Sequence, residues 1–320
     1  MSKISSAAFA DTKPHYDILD GLRGVAAITV VWFHLFEAYA TSHLDQRINH
    51  GYLAVDFFFI LSGFVIGYAY DDRWKKKMSV ADFLKRRLIR LHPMVVMGAV
   101  IGAVMFYFQG CSVWDVSTVS VSMLLAATLL NALLIPATPG SEIRGLGEMY
   151  PLNGPSWSLF FEYIGNILYA LFIHKLPTRA LSVLVLLAGC GLAAFAVWGP
   201  LGDICVGFAM DGDNMLGGSL RLLFAFSAGL LLSRVFRPVH IRGAFWICGL
   251  AVVALLSVPR IGGSEHFYAW VKNENLTFTE SLPGALALVA GSVILAYLCL
   301  KLYDEPVRRF LTDRFLHRKK

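Results

Sequence analysis

The chain has 320 residues, of which 57% are hydrophobic and only 16% are charged. Soluble domains usually carry about 25% charged residues, so this composition, with a mean hydropathy of +0.60, excludes an ordinary soluble domain. The formal net charge of +6 gathers at the ends of apolar stretches, at 73–90, 234–242 and 301–320. This distribution is typical of cytoplasmic membrane loops and argues against a nucleic-acid partner.

The sequence predicts an all-α integral membrane protein, a polytopic bundle of about 9–10 transmembrane helices. Nine apolar stretches approach the ~20 residues that cross a bilayer. They lie at 22–40, 51–70, 93–110, 118–136, 156–174, 180–199, 216–234, 243–258 and 281–302. We expect a cytoplasmic amino-terminal segment at 1–19, one membrane domain at 20–304 and a basic cytoplasmic tail at 305–320.

One conflict concerns the middle of the chain. The segments 71–90 and 175–179 both have the basic character of cytoplasmic loops, so an even number of crossings should separate them. Three apolar stretches lie between them. Either one of these spans is misassigned, with a re-entrant piece in the connection at 137–155 as one explanation, or the weak basic signal at 175–179 misleads.

The first apolar stretch, LDGLRGVAAITVVWFHLF at 19–36, contains both an arginine and a histidine. Arg23 and His34 are eleven positions apart, so an α-helix places them within ~20° of one face and ~16 Å apart along its axis. They are aligned but cannot act on the same atom. A histidine in apolar surroundings tends to stay neutral and can accept a proton from a hydroxyl. The alternative is a buried structural histidine, with Arg23 extended to the lipid headgroups.

The second stretch, AVDFFFILSGFVIGYAY at 54–70, places Asp56, Gly63 and Gly67 on one helical face. The two glycines allow a neighbouring helix to approach closely. Asp56 lies near the end of the span, where a carboxylate either binds a ligand or pairs with a cation.

The segment DDRWKKKMSVADFLKRRLIRLHP at 71–93 contains a cationic patch where the chain re-enters the membrane. Ser79 is a candidate helix cap, and Arg86, Arg87 and Arg90 follow it. These arginines either attract anionic lipid headgroups or bind phosphates, for which the planar guanidinium is well suited.

In the stretch PLNGPSWSLFFEYIGNILYALF at 151–172, Pro155 predicts the start of a helix, and a glutamate lies inside the apolar span that follows. Such a carboxylate is costly in a membrane and needs a partner. Asn166, one turn after Glu162, can form a hydrogen bond with it. The other candidate partners are Arg23, Arg221 and a substrate hydroxyl.

In this order, the motifs resemble those of the acyltransferase-3 family of membrane O-acyltransferases. LDGLRG with Arg23 and His34 is similar to the family's arginine-x10-histidine motif, and AVDFFFILSGF to its second-helix signature. RRLIRLHP resembles its paired-arginine motif, and WSLFFE at 157–162 its tryptophan–serine–leucine and glutamate motif. YIGN replaces the usual continuation after that motif. The family's SYxxYLxH segment is missing, and residues 259–280 occupy its place.

The resemblance implies transfer of an acyl group, usually acetyl from acetyl-CoA, to a hydroxyl of a carbohydrate or glycoconjugate at a bacterial inner membrane. Acetyl-CoA or another acyl-CoA is expected as donor substrate, with no tightly bound cofactor and no metal site. The expected partners are membrane lipids and a carbohydrate or glycolipid acceptor. The alternative function is a transporter or flippase for a glycosylated or acylated lipid.

The predicted roles divide the site residues into three groups. His34 is the predicted general base, and Glu162 is predicted to orient it or to hold the acceptor. The predicted donor-binding residues are Arg23, Arg86, Arg87 and Arg90. The predicted structural or acceptor-side residues are Asp20, Asp56, Trp157, Ser158 and Asn166.

Overall fold

The computed structural model describes residues 16–37, 39–40, 46, 50–75, 78–109, 116–138, 142–200, 202–236, 241–257, 294 and 297–316. The stretch at 259–280 and most of the predicted span at 281–302 lie outside these residues. The described residues form nine α-helices: α1 Asp17–Glu37, α2 Ala54–Trp74, α3 Val80–Gln109, α4 Val121–Ala132, α5 Ser156–Leu171, α6 Thr178–Trp198, α7 Gly212–Val235, α8 Ala244–Leu256 and α9 Glu305–Phe315. Short 3₁₀ helices occupy Gly51–Leu53, Val116–Thr118 and Ile173–Lys175, and a π-helical turn occupies Cys299–Asp304.

Five of the described helical segments are long and apolar enough to cross a membrane. They are Asp17–Glu37, Gly51–Trp74, Val80–Phe108, Thr178–Trp198 and Gly212–Val235. The apolar helices α4 and α8 are shorter, and the described part of the chain contains no strand, only one isolated β-bridge. The prediction of an all-α, polytopic integral membrane protein is therefore confirmed. The total of 9–10 crossing helices and the domain limits at residues 19 and 304 stay predictions.

The helix expected after Ser79 and the apolar span expected from residue 93 form one continuous helix, α3, which begins at Val80. Ser79 precedes it and accepts a hydrogen bond from the amide of Asp82 at 3.1 Å, which satisfies a donor of the first turn. Pro93 lies inside the helix. Membrane helices tolerate such a proline because neighbouring groups satisfy the backbone carbonyl that it leaves without a donor. The three arginines of the RRLIR segment consequently lie on a membrane helix and not on a separate cytoplasmic one.

The chain divides into two compact units. The first unit contains Ser62–Arg234 and Cys299–Lys320, and the second unit contains Asp11–Leu61 and Val235–Leu298. Helix α2 contributes residues to both units, because the division falls between Leu61 and Ser62.

Hydrogen bonds join several helix ends of the first unit at one side, which we call the basic end. Asp71, in the last turn of α2, accepts from the Tyr169 hydroxyl of α5 and from Nε of Arg234 of α7, both at 2.7 Å. Arg234 also donates to the carbonyl of Leu176, just before α6, at 2.7 Å. The segments around residues 71 and 176 therefore lie on the same side, as their basic character predicted.

The opposite side of the first unit, the loop end, is formed by the connections between α4 and α5 and between α6 and α7. The amide of Met149 donates to the carbonyl of Phe208 at 2.8 Å and joins these two connections. Helix α4 packs here against the second half of α3. The buried residues of this contact are Phe106, Ala127, Ile143 and Leu152.

Helix α4 bears on the topological conflict in the middle of the chain. Its 12 residues rise ~18 Å, which is too short for the ~30 Å hydrocarbon core of a bilayer. The 16 residues of α5 rise only ~24 Å, and neither helix is among the candidate spans, so the number of crossings between the segments at 71–90 and 175–179 stays a prediction.

The close helix approach predicted from Gly63 and Gly67 is confirmed in the first unit. A Cβ atom at Gly63 would lie 2.0 Å from the carbonyl oxygen of Phe226 on α7. A Cβ atom at Gly67 would lie 2.1 Å from the hydroxyl oxygen of Ser233 on the same helix. Helices α2 and α7 thus pack backbone against backbone, a contact that only glycine permits.

The second unit has its own small core. Helices α1 and α8 and the start of α2 bury Ala26, Ala54 and Leu256 together. A Cβ atom at Gly51 would lie 2.4 Å from the side chain of Phe33. The backbone just before α2 therefore packs directly against α1.

We predict that Gly63→Ala destabilises the protein by about 1–3 kcal/mol through overpacking, because the added methyl group meets a backbone oxygen. The measurement is the thermal unfolding midpoint of the detergent-solubilised protein. Gly249→Ala in α8 is the matched control, since its Cβ would meet only Val25 at an ordinary 3.8 Å. Equal midpoints for the two variants would contradict the close α2–α7 contact.

Candidate functional site

A buried ion pair joins α3 to α5 in the first unit. Nη2 of Arg87 donates to Oε1 of Glu162 at 2.8 Å, and the Arg87 and Glu162 side chains are 5% and 17% exposed. Ser62 of α2 donates its hydroxyl to the same carboxylate oxygen at 2.6 Å. Three helices therefore meet at one oxygen atom.

Asn166 completes this network from the next turn of α5. Its Oδ1 accepts from Nε of Arg87 at 2.7 Å, and its Nδ2 donates to the backbone carbonyl of Glu162 at 2.7 Å. The side chain of Asn166 thus holds Arg87, whereas the sequence suggested a hydrogen bond to the Glu162 carboxylate. Glu162 is seven residues before Tyr169, so it lies ~10 Å along the helix from the basic end.

The second carboxylate oxygen of Glu162 has no hydrogen-bond partner among the residues that the structure describes. The side chain is partly exposed, so Oε2 is the atom through which this network can accept a hydrogen bond from a ligand. A carboxylate that is fixed through one oxygen and open at the other can orient a hydroxyl group.

The cation partner of Glu162 corrects the partners expected from the sequence. Arg87, which was predicted to bind the donor, supplies this cation. Arg221, one of the expected partners, is buried in α7, donates to the carbonyl of Val206 at 2.7 Å and lies 5.2 Å from the ring centre of Trp157. The contacts of Arg87 favour a role in holding Glu162 over the predicted role in donor binding.

Trp157 and Ser158 lie in the first turn of α5, at the loop end. The Trp157 ring lies against the backbone of Gly207, where a Cβ atom would be 2.5 Å from the ring. Gly207 has a φ of +119°, which few side chains tolerate. The Ser158 hydroxyl donates to the carbonyl of Pro155 at 2.9 Å. These contacts fix the start of α5 at the position that Pro155 predicted.

The other arginines of the RRLIR segment have more open positions than Arg87. Arg86 is half-buried and repels Arg73 of α2 electrostatically. Its Nε has no hydrogen-bond partner in the described part of the chain. Arg90 is exposed and attracts Asp304. Two like charges held close together are destabilising unless an anion joins them, so this cluster of arginines favours a bound anion.

The carboxyl-terminal helix α9 packs beside this cluster. Lys85 of α3 donates to the carbonyl of Phe315 at 2.6 Å. Asp304, at the start of α9, is buried and pairs with Arg308. Burial raises the pKa of the Asp304 carboxyl, an effect that Arg308 partly offsets.

The second unit contains the remaining predicted site residues. Arg23 pairs with Asp20 at 2.8 Å on the exposed side of α1. His34 is in the last turn of the same uninterrupted helix, so its ~16 Å separation from Arg23 follows from the helical rise. Its Nδ1 lies 2.6 Å from Oε2 of Glu37. Asp56 is half-buried in the first turn of α2.

Two residues of these networks were missed from the sequence. Glu37 is three positions after His34, a spacing at which helical side chains meet, so the sequence contained a signal for it. Ser62 lies in the run FFFILSGF, and only its polarity distinguishes it from its neighbours. The predicted roles of all the site residues stay predictions, although the first unit does bring Arg87, Glu162 and Asn166 together.

The comparisons with known proteins identify the family. A family model described as an acyltransferase domain, that of the acyltransferase-3 family, matches residues 16–313. The chain belongs to this family. This membership explains the order of the motifs along the chain, and it makes the protein a membrane O-acyltransferase.

Three relatives of the acyltransferase share parts of its length. It is 35% identical over 159 residues to "Protein 2 in picA locus" of Rhizobium radiobacter, across 48% of this chain and 80% of that protein. It is 29% identical over 178 residues to acyltransferase MdmB of Streptomyces mycarofaciens, across 51% of this chain and 41% of MdmB. It is 36% identical over 80 residues to O-acetyltransferase OatA of Staphylococcus aureus, across 24% of this chain and 12% of OatA. No solved structure matches the chain.

We predict that Arg87→Ala destabilises the acyltransferase by about 3–5 kcal/mol, because it leaves the Glu162 carboxylate buried without its cation. The double variant Arg87→Met with Glu162→Leu should recover much of this loss, since it removes both charges together. The measurement is the thermal unfolding midpoint in detergent. Lys75→Ala is the control, because Lys75 is exposed and pairs with Asp72 at 3.9 Å. A double variant no more stable than Arg87→Ala would contradict the pairing.

Proposed function

We propose that the acyltransferase moves an acetyl group from acetyl-CoA to a hydroxyl of a carbohydrate or glycoconjugate, such as a surface or exopolysaccharide unit, in a bacterial inner membrane. The observation that carries the proposal is the Glu162 carboxylate, which Arg87 and Ser62 hold through one oxygen while the other has no hydrogen-bond partner among the described residues. An alcohol acceptor needs such a group to orient its hydroxyl. The name of OatA, an O-acetyltransferase, supports acetyl as the group transferred.

The donor would bind through its phosphates at the basic end of the first unit. Arg86 and Arg90 are one turn apart on α3 and present guanidinium groups there. Guanidinium groups bind phosphate through paired, charge-assisted hydrogen bonds. Arg23, which pairs with Asp20 on α1, remains a proposed donor ligand of the second unit. The excess of basic residues at this end supports a cytoplasmic orientation, the side on which acetyl-CoA is available.

His34 would act as general base in the transfer step. The acceptor oxygen attacks the thioester carbonyl carbon and passes its proton to His34. A new carbon–oxygen ester bond forms, the carbon–sulfur bond breaks, and the departing thiolate takes the proton from the imidazolium to give free CoA. Such proton transfer contributes roughly 10²–10⁴-fold to the rate. Membership of an acyltransferase family favours this chemistry over the transporter or flippase alternative.

We predict that His34→Ala abolishes transfer while the protein still inserts and folds, because the base is lost without a change in the core. The test deletes the gene in its host and measures ester-linked acetyl on the surface polysaccharide by proton NMR. Complementation uses the wild type and the variant, with membrane levels compared by immunoblot. If acetylation returns with His34→Ala at a normal level, His34 is not the base. If the deletion itself leaves polysaccharide acetyl unchanged, the acceptor lies elsewhere, among lipids or small metabolites.

We also predict that Arg86→Ala and Arg90→Ala each raise the KM for acetyl-CoA by about tenfold, the loss expected for one charge-assisted contact to phosphate. The measurement is the rate of radiolabel transfer in inverted membrane vesicles as the acetyl-CoA concentration varies. Arg309→Ala is the charge-matched control, because Arg309 is exposed on α9 and pairs with Glu305 at 3.2 Å. If the two variants keep the wild-type KM, their arginines contact lipid headgroups and not the donor.

A further inference from the structure

His34 contacts a carboxylate on its own helix. Nδ1 of the imidazole lies 2.6 Å from Oε2 of Glu37, three residues later in the last turn of α1. The ring also contacts Phe33 edge-on, with 5.1 Å between ring centres. The other ring nitrogen, Nε2, has no hydrogen-bond partner among the described residues. One nitrogen is therefore held, and the other is available.

We propose that Glu37 is a positioning residue that prepares His34 to act through Nε2. A carboxylate only accepts hydrogen bonds, so the Nδ1 that contacts it must carry the proton. In the neutral imidazole the lone pair then lies on Nε2, where a base must have it. When Nε2 takes the proton of the acceptor hydroxyl, the adjacent carboxylate stabilises the imidazolium that forms. This inference rests on the proposed function of His34 as base.

The surroundings of the pair favour this role over a structural one. The side chains of His34 and Glu37 are 53% and 47% exposed, and exposed pairs at this helical spacing add little to stability. If the pair only stabilised the fold, its loss would therefore change the stability of the protein little. The short contact instead restricts the ring of His34, the residue of the arginine-x10-histidine motif for which the proposed reaction requires a fixed tautomer.

The first test is kinetic and uses the full-length protein in inverted membrane vesicles of the deletion host, with radiolabelled acetyl-CoA. Base-labile label in the carbohydrate fraction measures transfer to the acceptor already present in the membrane. We expect Glu37→Ala and Glu37→Gln to lower kcat by about tenfold or more, within the range that general-base catalysis supplies. The KM for acetyl-CoA should stay within about twofold of the wild type. Glu37→Asp should restore part of the lost kcat, because it keeps the charge.

Asp72→Asn is the matched control for this series. Asp72 lies near the end of α2 and pairs with Lys75 at the same helical spacing, at 3.9 Å. Loss of a carboxylate there should leave kcat and KM unchanged. A similar fall of kcat in Asp72→Asn and Glu37→Gln would mean that the loss is a general effect of charge and would overturn the proposal.

The second measurement observes the tautomer directly and needs no variant of Glu37 to fold. The protein contains nine histidines, so the His34 signals in a ¹⁵N-histidine spectrum are assigned by their absence in His34→Gln. The proposal requires a protonated Nδ1 and an unprotonated Nε2 in the neutral ring of the wild type. The opposite tautomer would overturn it.

The outcomes separate this proposal from the function on which it rests. If His34→Ala is inactive but Glu37→Gln keeps the wild-type kcat, His34 remains the base and Glu37 has no positioning role. If His34→Ala keeps its activity, the assignment of the base fails, and the role of Glu37 fails with it. If Glu37→Gln changes only the KM for acetyl-CoA, Glu37 belongs to donor binding and the positioning role is overturned.

Discussion

The membrane allows no unpaired charge in its interior, and the first unit satisfies this constraint at the Arg87–Glu162 ion pair. Unpaired, either side chain would carry a large desolvation cost. The structure avoids that cost by placing the two groups 2.8 Å apart and adding Ser62 and Asn166 as further partners. Because these four residues come from α2, α3 and α5, the same requirement sets the register of three helices.

The network holds the Glu162 carboxylate through one of its two oxygen atoms. Arg87 and Ser62 both donate to Oε1 of Glu162, so Oε2 is fixed in position, and no described residue forms a hydrogen bond with it. A further hydrogen bond to Oε2 would have stabilised the core, but it would have blocked the atom that is proposed to accept a hydrogen bond from the ligand. Structure and proposed chemistry therefore depend on the same carboxylate, and a variant that changes it affects both. Separating the two effects requires stability and activity to be measured on the same protein.

The sequence predicted features that depend on local patterns and missed those that depend on distant partners. Hydropathy located the membrane helices, Pro155 located the start of α5, and the Gly63–Gly67 spacing located a close helix contact. Each of these signals lies within a few residues. The partner of Glu162 lies 75 positions away on α3, and no local pattern chooses it from the other cations. The Ser79 cap located the start of α3, but its continuity with the apolar span was missed for the same reason, since charged residues lower local hydropathy even where a distant group pairs with them.

The arginines of the RRLIR segment lie in two different environments, although they belong to one motif. Successive residues on an α-helix differ by ~100° in direction. Arg86 and Arg90, four positions apart, therefore differ by only ~40°, while Arg87 lies ~60° beyond Arg90 and ~100° from Arg86. Arg87 is directed towards α5 and is almost fully buried, whereas Arg90 is exposed and Arg86 is half-buried at the basic end. Adjacent arginines that look equivalent in the sequence are thus divided by the helix into one that holds a carboxylate and two that remain available to an anion.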